Sequence, residues 1–187
     1  LLSQTMTQAN KAADEVLSFW RQAGPEKWFD KDAEFDASFH DRFRELHFAA
    51  ARQELVSWLD AAESALALIL LLDQFPRNCF RGTAHMFATD PLALHYARQA
   101  LDKRLDGAVE DQLKVFFYLP FMHSEVLADQ ELCCRLCEPL DEKTMRFAIE
   151  HRDIIQRFGR FPHRNKILLR QTTEQEKAFL EAGGFSG

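Results

Sequence analysis

Apolar letters return every three or four positions along nearly the whole chain, and no stretch alternates strictly in the manner of a half-buried strand. The pattern predicts an all-α fold. Ala13, Val16, Leu17 and Trp20 share one face of a helix from about Ala9 to Gln22, which Gly24-Pro25 stops. After a loop holding Trp28 and Phe29, the phenylalanines at 35, 39 and 43 with Leu46 mark a second helix capped by Asp30 or Asp32. The phase slips around Trp58, so a break is expected between Ala51 and Ser64. An apolar helix then runs to Phe75 and ends at Pro76. Asp90-Pro91 reads as an N-cap followed by proline at the first helical position, with the helix ending near Leu105 and another beginning by Glu110. Pro120 kinks or ends the aromatic run Phe116 to Phe121, with a restart near His123 and Ser124. Pro139 closes the next piece. Asp141 caps a helix reaching Phe158, Gly159 stops it in the left-handed conformation, and Thr173 with Glu176 forms the capping box of a last short helix that Gly183-Gly184 ends. About eight helices joined by short loops imply stacked antiparallel pairs.

With 187 residues, 47% of them hydrophobic and 17 of them phenylalanine, the chain is long enough for one sizeable domain, read as residues 6–187. Residues 1–5 are expected to be a non-native or disordered extension, with Met6 as the native start, and they carry no basic, apolar signal sequence. The net charge of −6 argues against nucleic-acid and membrane-surface partners, both of which require a dominant positive field. The charge is uneven. Between His151 and Arg170 the balance is +5, which leaves −11 elsewhere. The longest apolar run, Ala65 to Leu72, is far short of the ~20 residues that span a bilayer. Four cysteines, three of them clustered at Cys133, Cys134 and Cys137, make no disulfide framework and point to a reducing cytoplasm.

Two phrases stand out: Phe75-Pro76-Arg77-Asn78 and Phe161-Pro162-His163-Arg164-Asn165. Together with Leu71-Leu72-Asp73-Gln74 ahead of the first, Phe116-Phe117-Tyr118-Leu119-Pro120-Phe121-Met122-His123-Ser124-Glu125, and Arg157-Phe158-Gly159-Arg160 ahead of the second, they give the chain its character. In these motifs and their order it resembles the bacterial domain-of-unknown-function family 924, from Val16-Leu17-Ser18-Phe19-Trp20 to Thr172-Thr173-Glu174-Gln175-Glu176. The resemblance implies a helical fold of tetratricopeptide-like type and no established activity. Around Gln53 the chain departs from the family pattern, which places a glycine there.

The chemistry must therefore come from the residues. Arg77, Arg81, Arg160 and Arg164, with Asn78 and Asn165, offer guanidinium forks and amides suited to a small anionic ligand or an acidic peptide terminus, with Tyr118 beside them. The alternative use of the same arginines is internal, pairing with Asp73, Glu125 or Asp153 and satisfying helix-end carbonyls. His123, Glu125 and His163, with Tyr118, form a candidate acid-base set for an enzyme acting on an anionic metabolite. Against it stands a capping role for Ser124 and Glu125. No metal or cofactor is expected: His-Glu-x-x-His and paired Glu-x-x-His motifs are absent, His40 and His47 share their face with Phe43, and there is no phosphate-binding loop. Cys134-x-x-Cys137 reads as helix-core filling. The leading expectation is an anion-binding helical scaffold; the rivals are an enzyme and a set of purely structural motifs.

Overall fold

A computed structural model describes residues 2–187, with side chains from Lys11 onward. The first side chains, and with them the reading of residues 1–5 as an extension, lie outside what is described. The protein is all-α, with no strand among the described residues. Its helices are α1 (Leu2–Ala23), α2 (Pro25–Trp28), α3 (Ala33–Ala51), α4 (Ala62–Cys79), α5 (His85–Ala88), α6 (Asp90–Asp102), α7 (Val115–Met122), α8 (Leu127–Cys137), α9 (Glu142–Phe158) and α10 (Glu174–Glu181). Single 3-10 turns lie at Val56–Asp60, Leu105–Ala108, Asp111–Leu113 and Pro162–Arg164. The chain folds into two compact units, one running through Arg81 and resuming over His85–Pro120, the other comprising Gly82–Ala84 and Phe121–Gly187.

In the first unit α4 is the central helix, and α1, α3 and α6 pack around it. Every residue from Ser64 to Pro76 is buried, which explains why this stretch reads as apolar on all sides rather than as a stripe. Asp32 is the true cap of α3, its carboxylate accepting from the amides of Glu34 and Phe35. Phe39, Phe43 and Phe75 then meet Trp20 and Phe116 in an aromatic core of tilted and edge-on rings, Trp20 lying 5.2 Å from Phe116 and Phe39 5.0 Å from Phe75. Trp28, expected in a loop, forms the buried end of α2 and donates its indole N–H to the Trp20 carbonyl at 2.7 Å.

Pro76 does not end α4. The helix continues through it to Cys79, because the cost of the missing amide is met from outside. The carbonyl left open is that of Leu72, four residues back, and the Thr89 hydroxyl donates to it at 2.5 Å. Thr89, not Asp90, also occupies the N-cap position of α6, and Pro91 sits one residue deeper than expected. α6 stops at Asp102 rather than near Leu105, and α7 starts only at Val115 after two 3-10 turns, so the helix expected by Glu110 begins later. Pro120 likewise lies inside α7, and the restart comes at Leu127 rather than at His123.

The second unit is built on the hairpin of α8 and α9. Asp141 caps α9 through the Thr144 amide, and Gly159 closes it with φ 71°. The Thr173 and Glu176 capping box is formed as the spacing predicts. The second Phe-Pro phrase therefore follows a helix that has already stopped, and Pro162 opens a 3-10 turn instead. The two phrases are alike in letters and different in structure: one lies within a last helical turn, the other beyond a helix end.

Candidate functional site

In the first unit Arg77 reaches forward from α4 to Asp90, giving Nη1 to Oδ1 at 2.6 Å and Nη2 to Oδ2 at 2.8 Å. Its Nη1 also donates to the Asp73 carbonyl at 2.9 Å, and its guanidinium stands over Phe87. Burial opposes the charge on Arg77, but the Asp90 and Asp73 carboxylates outweigh that and raise its pKa. This two-pronged pair explains the shift of the α6 cap, since Asp90 is occupied by arginine. Asn78 and Arg81 converge on a third carboxylate, Asp36 in the first turn of α3, at 2.7 and 3.0 Å. All three polar residues of the first corner thus tie the end of α4 to neighbouring helices.

In the second unit the corner is a continuous circuit. Arg160 holds Glu176 with Nε to Oε1 at 2.7 Å and Nη2 to Oε2 at 3.0 Å, and Asn165 adds its amide to Oε2 at 3.0 Å. Glu176, 3% exposed, also accepts the Thr173 amide. The Arg160 hydrogen bonds, helped by Thr173 and Asn165, overcome burial and bring its carboxyl to about 2. Arg170 gives its Nε to the Asn165 carbonyl oxygen at 2.9 Å and its two Nη atoms to Glu125 at 2.8 and 3.0 Å. Glu125 in turn accepts the Phe161 amide at 2.8 Å, while Arg170 donates to the Phe161 carbonyl at 2.9 Å. Both backbone groups of the residue before Pro162 are therefore satisfied by side chains. Arg164 lies over the Phe161 ring and donates to the His123 carbonyl at 2.8 Å.

The acid-base candidates fall into this same framework. Burial pushes the Glu125 carboxyl upward, but the bonds from Arg170 and the Phe161 amide, with the charge of Arg164, hold it below its ordinary value. Ser124 donates to Asp129 at 2.6 Å and accepts the Val126 amide, a local turn rather than a full helix cap. Buried Gln130 donates to the Met122 and Ser124 carbonyls, both at 2.7 Å, closing the end of α7. His163 lies 5.7 Å from the Phe161 ring and 5.1 Å from Phe185. Tyr118 belongs to the first unit, where its hydroxyl donates to Asp106 at 2.8 Å. Of the nominated residues, the structure gathers Glu125, Arg160, Arg164 and Asn165 into one network, which His123 joins through its carbonyl.

Several key groups escaped the sequence reading. Asp36 looks like any acidic residue in a first helical turn, and Glu176 like a capping residue alone. Arg170 was legible only as part of the basic segment. His47 is fully buried, donating Nδ1–H to the Leu71 carbonyl at 2.7 Å, and its Nε2 lies 2.8 Å from Nε2 of His85. The bond to Leu71 assigns the tautomer, so His85 donates and His47 accepts. Cys133 and Cys137 are buried one turn apart with sulfurs at 3.8 Å, and all four cysteines are free thiols. No group of three histidine, cysteine or acidic side chains is arranged to hold a metal among the described residues. No helix among them is long and apolar enough to cross a membrane.

Comparison with known proteins agrees with the motif reading. The family described as bacterial protein of unknown function (DUF924) matches residues 16–184. A solved protein of unknown function from Agrobacterium tumefaciens is 62% identical, superposes with a TM-score of 0.90, and is matched over 91% of this chain and 97% of its own. No functionally curated protein matches the chain significantly.

Proposed function

Because the chain belongs to the DUF924 family of bacterial proteins of unknown function, we propose from its own geometry that it is a helical binding scaffold whose Phe-Pro corners clip its helices together rather than hold its ligand. The observation that carries this reading is the two-pronged engagement of Arg77 by Asp90 and of Arg160 by Glu176, carboxylates of the same chain. A guanidinium so occupied has few in-plane donors left for an incoming carboxylate or phosphate. Glu125 has both carboxylate oxygens engaged by Arg170 and the Phe161 amide and is held below its ordinary pKa, so it is a poor proton donor and a weakened base, which counts against the enzyme reading. The four free thiols support a reducing, cytoplasmic location.

A double-mutant cycle on Arg77 and Asp90 tests the reading. Arg77→Ala takes the guanidinium away from two carboxylates that are 1% and 13% exposed, so urea unfolding should show a loss of about 3 kcal/mol, the low end for a broken buried pair because Asp73 keeps Gln74 as a donor. Asp90→Ala should be costly too, and the double variant less destabilised than the sum of the singles. Wild-type melting should not respond to inorganic phosphate or citrate beyond the effect of ionic strength. The opposite pattern, stable single variants with an anion-induced rise in Tm that Arg77→Ala or Arg164→Ala abolishes, would make the corners a ligand site and end the proposal.

A further inference from the structure

A groove in the second unit lies apart from the corners. Along one edge of α9 run Arg146, Glu150, Asp153 and Arg157, and its floor includes Ile149, Ile154 and Phe158. The opposite wall is Phe179 of α10 and Phe185 of the chain end. Gly183 and Gly184 bring that chain end back over the helix. Gly183 is left-handed at φ 83°, and a Cβ on Gly184 would lie 2.6 Å from the Phe179 ring and carbonyl. The groove is open to solvent along its length and holds about 450 Å³.

The charges at the lip select the ligand. Arg152 holds Asp153 at 2.7 Å, which leaves Arg146 and Arg157 against Glu150 and an excess of one positive charge. Neither Arg146 nor Arg157 makes an ion pair among the described residues. The Arg157 guanidinium is instead 4.7 Å from the Phe158 ring centre and 5.7 Å from that of Phe179. A stacked guanidinium keeps its in-plane donors open, so an anion in that plane meets donors and aromatic walls together.

We propose that this groove is a binding site for a small aromatic monocarboxylate, its ring laid against the outer face of the touching Phe158 and Phe179 rings, 5.1 Å apart, and against Phe185, with its carboxylate on Arg157. The groove shares no lining residue with the corner clips, although Arg160 holds α10 in place through Glu176. Calorimetric titration of the full chain with 2-naphthoate and with its neutral analogue 2-naphthamide tests it. Naphthoate should bind saturably below 1 mM and at least about tenfold more tightly than the amide, a difference of ~1.4 kcal/mol. Arg157→Gln, at an exposed position with no ion pair to break, should fold normally and lose that preference, while Ile149→Trp should block both compounds by filling the groove. Circular dichroism checks that each variant is folded; if Ile149→Trp is not, Arg157→Gln decides alone. The proposal is overturned by no naphthoate binding at 1 mM, by equal affinity for acid and amide, or by undiminished preference in Arg157→Gln.

Discussion

Lowering the pH from 7 to 4.5 should destabilise the first unit by about 2.5 kcal/mol through a single side chain, His47. Burial lowers its pKa from 6.5 to about 4; the Leu71 carbonyl opposes the shift and the neighbouring His85 adds to it. In the unfolded chain the same imidazole takes its proton near 6.5. The unfolded state therefore binds the proton first as the pH falls. The stabilisation is complete above pH 6.5 and is lost between there and about pH 4. At ~1.4 kcal/mol per unit of pKa difference, the loss reaches roughly 1 kcal/mol at pH 5.5 and about 2.5 at pH 4.5. His85 is shifted down by burial as well and acts with the same sign. Glu176, with its carboxyl lowered from 4.5 to about 2, sheds its own contribution as the pH falls from about 4.5 to about 2, below the range from pH 6.5 to 4.5. Trp20, Trp28 and Trp58 all lie in the first unit, so tryptophan fluorescence during urea unfolding reads that unit selectively. The companion variant is His47→Asn, whose amide can still donate to Leu71 but takes no proton. Its unfolding midpoint should change much less between pH 6.5 and 4.5 than that of the wild type. Equal slopes in the two proteins, or a flat wild-type profile, would refute the reasoning.

Other substitutions probe other links. Gln53→Gly should stabilise the protein by about 1 kcal/mol in urea unfolding, because Gln53 sits at φ 62° at the end of α3, where a Cβ is strained. Thr89→Val removes the donor to the Leu72 carbonyl inside a buried helix and should cost about 1–3 kcal/mol, read by tryptophan fluorescence. Glu125→Gln should lower the Tm measured by far-ultraviolet circular dichroism, since Arg170 would lose its carboxylate and Phe161 the charged acceptor of its amide.

The helical period and some of the end signals were legible because they are local. Asp32, Asp141, Gly159 and the Thr173 capping box each act within four residues, and each does what its spacing predicts. Pro76 misled because its local effect is cancelled by a residue thirteen positions on: nothing near Pro76 reveals that Thr89 will supply the missing hydrogen bond. The corner residues were found by type but not by partner. Asp36 meets Asn78 across 42 positions and Glu125 meets Arg170 across 45, distances over which charge patterning carries no address. The glycine expected at Gln53 from the family resemblance has a direct cause in the left-handed backbone there, visible only once the end of α3 is seen.

Pro76 also changes what α4 can do for its neighbours. A regular buried helix keeps its carbonyls for itself, whereas this one is left with an acceptor that another segment can seize. The proline therefore acts as a socket and Thr89 as its plug, and the worth of each depends on the presence of the other. Restoring an amide at position 76 would close the socket and leave the threonine hydroxyl to seek another acceptor, so among relatives the two positions are expected to change together or not at all.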